Sequence, residues 1–303
     1  MSNIILTTTS SFASEGFPKG YEIVHNPFGK QLSESEILEL ILKYQPVAIV
    51  AGVEPLTRAV LSQAKKLKVI SRVGIGLDSV DLEAAKEFGI KVLNTPDAPT
   101  QAVAEFTIGM ILVVLRKIRQ LDSAVRRENG KSDAGMLLAG KTVGIVGCGR
   151  IGSRVAKICE AIGCKTLGYD PYIKAHGQIK MVELQELIEK SDIVTLHVPR
   201  TSETENIISK EKIAEMKKGA VLINISRGGL IDEDALYDAL KCGKLYGAAL
   251  DCFAKEPYSG KLTELDNIVL SSHMGSSTVE TRAEMETQAI ENLLKEFENL
   301  RLI

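Results

Sequence analysis

From Gly140 onward, short β-type runs and helical stretches take turns along the chain, and this alternation limits the possible folds more than any other feature. The runs TVGIVG, KTLGYD, DIVTLHV, AVLINIS, GAALDCF and NIVLSSH are apolar and rich in β-branched residues. Between them, RIGSRVAKICEAIG, VELQELIEKS, SKEKIAEMKK and DEDALYDALKCG carry apolar residues at helical spacing, several ending near Gly or Lys. Strands joined through helices pair in parallel, because the helix must cross back over the sheet. The sequence therefore predicts an α/β fold, a doubly wound parallel sheet with helices on both faces and ligands at the carboxyl ends of the strands.

The first hundred residues repeat the alternation on a smaller scale. NIILTT, YEIVHN, VAIVAG, KVISR and IKVLN read as strands, and SESEILELILKY, LTRAVLSQAKK and DLEAAKEFG as one-sided helices. This is a second doubly wound unit, consistent with about two domains for 303 residues. QAVAEFTIGMILVVLRKIR, apolar nearly all round over Phe106 to Leu115, reads as a helix buried between domains or subunits. A last helix, Thr281 to Asn299, is expected to pack on the first unit, with a hinge near residues 98–105.

Charge and cysteine content exclude several function classes. A net charge of −2, from 37 Lys plus Arg against 39 Asp plus Glu, argues against a nucleic-acid or anionic-membrane partner. The five cysteines show no C-x-x-C spacing, so neither a zinc site nor a disulfide framework is expected, and a reducing, cytoplasmic setting fits best. No basic start followed by a long apolar run marks the N-terminus, and no apolar stretch reaches the ~20 residues needed to cross a bilayer.

One motif points to a ligand. In TVGIVGCGRIGSRVAKI, Gly147, Gly149 and Gly152 form G-x-G-x-x-G between a strand and an amphipathic helix marked by Ile151, Val155, Ile158 and Ile162. Gly147 permits a tight turn, Gly149 allows a pyrophosphate to approach the backbone, and Gly152 allows helix and strand to pack closely. Asp170 ends the next strand, 18 residues after Gly152, where its carboxylate would accept ribose hydroxyls and repel a 2′-phosphate. The expected cofactor is NAD rather than NADP. A nucleotide or S-adenosylmethionine transferase remains open on this motif alone.

SRVGIGLDSVDLEAA (71–85), NTPDAPTQAVAEFTIGMIL (94–112), GKTVGIVGCGRIG (140–152), GYDP (168–171), HVPRTSETENII (197–208), INISRGGLIDEDAL (223–236), ALDCFAKEP (249–257) and SSHMGSST (271–278) occur in order along nearly the whole chain. Together they resemble the D-isomer-specific 2-hydroxyacid dehydrogenases. The resemblance implies a Rossmann-type NAD-binding domain over 100–281 and a smaller flavodoxin-like substrate-binding domain over 1–99 plus 282–303. It also implies a catalytic set of Arg227, Glu256 and His273. Arg227 would hold the carboxylate and carbonyl oxygens of a 2-oxo acid with its planar fork. His273 would give a proton to the carbonyl oxygen in reduction and take it from the hydroxyl in oxidation, with Glu256 orienting its ring.

By matching, Arg150 and Ile151 would offer backbone N–H groups to the pyrophosphate. Val198, Pro199 and Thr204 would line the adenosine side, and Asp251 would take the nicotinamide amide. Arg72, Val73, Gly74, Ile75 and Gly76 form a glycine-bearing loop whose amides would make a nest for the substrate carboxylate. His25, His176 and His197 are read as structural.

The resemblance points to 3-phosphoglycerate and 3-phosphohydroxypyruvate as the leading substrate pair, and to a homodimer. Pro99 stands where relatives usually carry Asn, Ala51 where enzymes of phosphoglycerate commonly carry a base, and SSHMG where Thr-Pro-His-Ile-Gly is usual. The first two weaken the case for a phosphate, which Arg72 supports. Reduction of glyoxylate, hydroxypyruvate or a longer 2-oxo acid is the alternative, and an NADH-sensing interaction module, as in corepressors similar to this family, is the alternative of another class. No ligand-sensing module is expected beyond Ile303.

Overall fold

The computed structural model describes residues 3–13, 15–127, 134–177 and 179–303. In chain order its first elements are β1 (Asn3–Thr7), β2 (Tyr21–His25), α1 (Glu34–Tyr44), β3 (Ala48–Ala51), α2 (Arg58–Gln63), β4 (Val69–Arg72), α3 (Leu82–Glu87) and β5 (Lys91–Leu93). Then follow α4 (Pro99–Leu115), α5 (Ile118–Arg126), β6 (Thr142–Val146), α6 (Arg150–Ile162), β7 (Lys165–Tyr169), β8 (Lys180–Met181), α7 (Leu184–Lys190) and β9 (Ile193–Leu196). The last are α8 (Lys210–Glu215), β10 (Ala220–Asn224), α9 (Glu233–Lys241), β11 (Leu245–Leu250), β12 (Ile268–Leu270) and α10 (Val279–Asn299). Two compact units result, one of residues 1–99 and 277–303, the other of residues 100–276. The return crossing falls at Ser277 rather than at 282.

In the smaller unit the strands run parallel in the order β2-β1-β3-β4-β5, the flavodoxin-like arrangement with its switch point between β1 and β3. Local signals set its helices. Ser33 and Glu36 close a reciprocal capping box on α1, and Thr57 and Asp81 cap α2 and α3. One sheet face packs on these helices through Leu6, Ile49 and Ile70. The other packs Ile5, Val50 and Val69 against Met285, Ala289, Leu293 and Phe297 of α10. A helix nearly three hundred residues downstream thus completes this core.

The larger unit has seven parallel strands in the order β12-β11-β10-β9-β6-β7-β8, with its switch point between β6 and β9. The two-residue edge strand β8 escapes detection in the sequence, being too short for any periodicity. α4 packs on the sheet of its own unit. Val103, Ala104, Ile108, Ile111 and Leu115 pack with Val143, Ile145, Val221, Ile223 and Ala249 of this unit's own sheet. One side of its apolar surround is thus taken by β6, β10 and β11, and Pro99 is its first residue. None of the described helices is long and apolar enough to cross a membrane.

Register brings chemistry to one edge. Val146, Tyr169, Leu196, Asn224, Leu250 and Leu270, the last residues of β6, β7, β9, β10, β11 and β12, are direct cross-strand partners along the sheet. The chain therefore leaves the sheet on a single rim, immediately before Gly147, Asp170, His197 and Asp251 and three residues before Arg227 and His273.

Candidate active site

The glycine turn is built as its spacing requires. Gly147 sits at φ +95°, donates to Tyr169 O at 2.8 Å, and leaves no room for a Cβ, which would meet His197 O at 2.6 Å. A Cβ on Gly152 would lie 1.9 Å from Gly147 O, so helix α6 can lie this close to its strand only with glycine there. At Gly149, the N-cap of α6, a Cβ would meet nothing within 4 Å. The backbone is thus bare and approachable where first-turn amides, those of Arg150 and Ile151 among them, have no carbonyl acceptor within their own helix. This combination of one open and two crowded glycines fits a dinucleotide diphosphate.

Asp170 is fixed by the backbone around it. One carboxylate oxygen accepts from Cys148 N at 2.9 Å, the other from Tyr172 N and Ile173 N at 2.9 and 3.2 Å. Each oxygen carries two acceptor sites, so capacity remains for a ribose hydroxyl. Burial, with the Asp170 charge second, pushes the Cys148 thiol up to about 12. Val198 packs its Cγ1 beneath Gly147, Pro199 is exposed, and Thr204 donates its hydroxyl to Pro199 O at 2.7 Å, closing the loop between them.

His197 is bonded to Thr195, its Nε2 lying 3.0 Å from Oγ1, and burial lowers its imidazole to about 4. Between the ordinary histidine value of about 6.5 and about 4, an unfolded chain binds a proton that the folded chain refuses, so stability falls as pH falls through this window. The loss is a few kcal/mol at most. His197→Gln should flatten the decline in denaturation midpoint between about pH 7 and about pH 5. Parallel declines in the two proteins would remove His197 as its source.

Arg227 follows β10 in a tightly held turn. Asn224, 2% exposed, donates its Nδ2 to Arg227 O at 2.7 Å and accepts from the amide and hydroxyl of Ser226 at 3.1 and 2.9 Å. A Cβ on Gly228 would lie 1.8 Å from Phe253 O. Arg227 itself donates Nη1 to Ser226 O at 2.8 Å.

His273 leaves β12 in the left-handed region, φ +58°. Its Nδ1 lies 3.2 Å from Oε2 of Glu256, and Oε1 of Glu256 accepts from Phe253 N at 3.1 Å, so the carboxylate is held from one side and holds the ring from the other. Both side chains are about half exposed, at 50% and 40%. A proton on this ring can reach a ligand in solvent.

Asp251 anchors the loop that carries His273. It is 1% exposed, and its carboxylate accepts from Ser271 Oγ at 2.5 Å, Met274 N at 2.8 Å and Gly275 N at 2.8 Å. His273 N adds a bond to Asp251 O at 2.8 Å. These bonds take three of the four acceptor sites of the carboxylate, so this side chain shapes the histidine loop and, like Asp170, keeps one site for a further donor. ALDCF hides the role, because its partners lie twenty or more residues away.

The smaller unit corrects the amide nest. Val73 N donates to Ala51 O at 2.8 Å, continuing the sheet, and Gly74 N donates to Thr95 Oγ1 at 2.8 Å. Two of the expected donors are therefore spent on structure. Ile75 accepts from Asn94 Nδ2 at 2.7 Å through its carbonyl, Gly76 follows it, and Arg72 bonds its Nη1 to Val73 O. Sequence reading passed over Glu54, which is 1% exposed, bonded by the Thr8 hydroxyl and the Gly52 amide. Burial raises its carboxyl above the usual range, against Thr8, backbone amides and the charge of Arg72.

A doubly wound sheet whose glycine turn and acidic strand end fit a dinucleotide, with an arginine and a histidine–glutamate pair on the same rim, has the build of the dinucleotide-binding dehydrogenase class. Residues 108–275 match the model of the D-isomer specific 2-hydroxyacid dehydrogenase, NAD binding domain. The chain belongs to the D-isomer-specific 2-hydroxyacid dehydrogenases, and its larger unit is an NAD-binding domain.

It is 44% identical over 272 residues to the D-3-phosphoglycerate dehydrogenase of Methanocaldococcus jannaschii, covering 87% of this chain and 52% of that protein. It is 39% identical to the hydroxypyruvate reductase of Thermotoga maritima, covering 88% and 89%. The chain thus spans about half the length of the curated phosphoglycerate dehydrogenases it matches. Among solved structures, D-lactate dehydrogenase from Aquifex aeolicus, complexed with NAD and lactic acid, superposes with a TM-score of 0.84 at 29% identity, covering 99% of this chain and 96% of the other.

Proposed function

We propose that the protein interconverts a D-2-hydroxy acid and its 2-oxo acid with NAD, and that Arg227, Glu256 and His273 carry the reaction. The observation behind this reading is the His273–Glu256 pair, 3.2 Å apart and half exposed, on the strand-end rim that also carries the glycine turn. When bound, the nicotinamide supplies or accepts the hydride. In reduction His273 gives its proton to the carbonyl oxygen, and in oxidation it takes one from the hydroxyl; Glu256 keeps Nδ1 occupied so that the other ring nitrogen faces the acid. Arg227 offers paired donors to the carboxylate and to charge developing on the carbonyl oxygen.

In the cofactor site, Gly147, Gly149, Arg150, Ile151 and Gly152 hold the diphosphate, and Asp170 accepts from the ribose. Val198, Pro199 and Thr204 form the adenosine wall. Arg72 recognises the acid's anionic groups, while the remaining 73–76 segment shapes the turn.

The leading substrate pair is 3-phosphoglycerate and 3-phosphohydroxypyruvate, supported by the phosphoglycerate dehydrogenases among the relatives and by Arg72. Glu54 favours a second reading. A carboxyl whose charge acts on Arg72 offsets part of that arginine's pull on a phosphate, and Ala51 adds no positive charge, which suits hydroxypyruvate or glyoxylate. Following oxidation of NADH and NADPH against 2-oxo acids with and without phosphate decides between them. The expected result is turnover with NADH, fastest on 3-phosphohydroxypyruvate. A preference for unphosphorylated acids selects the second reading, stoichiometric NADH binding without turnover on any acid selects the sensing module, and equal use of NADPH removes Asp170 from its ribose role.

A further inference from the structure

The rim holds a third group that proton transfer does not use. Cys252 lies on the loop after β11, four residues before Glu256, and its Sγ donates to Ser226 O at 3.4 Å in the Arg227 turn. One ligand atom each from Cys252, Glu256 and His273 lie within 4.8 Å of one another. The cysteine is buried at 2% exposed, whereas the carboxylate and imidazole are half exposed, so an ion from solvent meets the latter two first and the thiol beneath them.

We propose that Cys252, Glu256 and His273 form a capture site for a soft or borderline divalent metal ion, Zn2+ or Cd2+, that stops proton transfer by occupying the imidazole. A mixed S, N and O donor set selects this class of ion, whereas Mg2+ and Ca2+ require oxygen donors. Zinc bond lengths of about 2.0 to 2.3 Å place tetrahedral donors roughly 3.3 to 3.8 Å apart. The His273–Glu256 separation of 3.2 Å is already close to that, and only the thiol has to draw in.

On binding, the Cys252 S–H bond breaks and an S–metal bond forms, the proton leaving to solvent. The ring binds through one neutral nitrogen and keeps its remaining proton on the other, and water fills the fourth position. Thiolate and carboxylate together balance the ion's charge against the nearby Arg227, whose field also reaches the thiol. The 252/256 spacing lacks the C-x-x-C form, which is why the sequence gives no sign of this site.

The inhibitory consequence rests on the proposed role of His273; binding itself does not. The test titrates Cd2+ into the intact chain and into Cys252→Ser, reading the ultraviolet charge-transfer band of the thiolate–cadmium bond, and in parallel measures Zn2+ inhibition of NADH oxidation with reversal by a chelator. The parent should show a band larger by one thiolate than the variant. Cys252→Ser should keep the basal turnover while losing sensitivity to Zn2+ by at least the roughly 10–100-fold that removal of even an outer-shell partner costs. Equal cadmium bands, or undiminished Zn2+ inhibition in the variant, overturn the proposal. If no 2-oxo acid is reduced, the functional reading fails and the cadmium band alone decides the site. If Cys252→Ser does not fold, Glu256→Gln, altered at a half-exposed position, must weaken cadmium binding for the proposal to stand.

Discussion

His273→Asn should lower turnover by about 10²–10⁴-fold, the range expected when a positioned general acid–base is removed, while NADH affinity by fluorescence titration changes little. Asparagine is the informative replacement because the backbone at this position is left-handed, φ +58°, a region that asparagine enters more readily than alanine. The loop does not depend on the imidazole. Its amides at His273, Met274 and Gly275 bond to Asp251, and the Ser271 hydroxyl does the same. The variant therefore keeps the rim and loses the proton. A fall in turnover with unchanged coenzyme binding assigns the chemistry to the ring. Near-normal turnover would remove His273 as the proton donor and leave the pair with Glu256 as a surface contact of little energetic weight.

What the sequence disclosed was what lies close along the chain. The strand–glycine turn–helix unit is local, and so is the acidic end of β7; each was readable from spacing. The rim of functional residues followed from the alternation of elements, because parallel strands joined through crossover helices all point their carboxyl ends to the same edge. Contacts between distant segments were not readable. Asp251 spends its carboxylate on residues 271–275, the amides of Val73 and Gly74 on Ala51 and Thr95, and Glu54 on Thr8. In each case a polar group suited to a ligand also serves the fold, a choice set by register and loop packing. The apolar surround of α4 was ambiguous for a related reason, since periodicity shows that a helix is buried but not against what.

Arg227→Gln should reduce kcat/KM by about 10²–10³-fold, comparable to the loss of a donor aimed at a developing oxyanion, with NADH binding nearly intact. The backbone should not move. Asn224 holds the carbonyl of residue 227 at 2.7 Å, and Gly228 fits against Phe253 O with no space for a Cβ, so the turn is fixed by groups other than the guanidinium. Arg227→Lys separates charge from geometry. A lysine keeps the positive charge but gives up the planar fork that can meet a carboxylate and a carbonyl oxygen together. KM should recover towards the parent value in Arg227→Lys while kcat stays depressed, because attraction of the anion needs charge alone and alignment of its two oxygens needs the fork. Equal kcat in the lysine variant and the parent would reduce Arg227 to an electrostatic attractor. Retention of kcat/KM within a few-fold in Arg227→Gln would remove it from the reaction, leaving proton transfer by His273 without a partner on this rim to hold the acid.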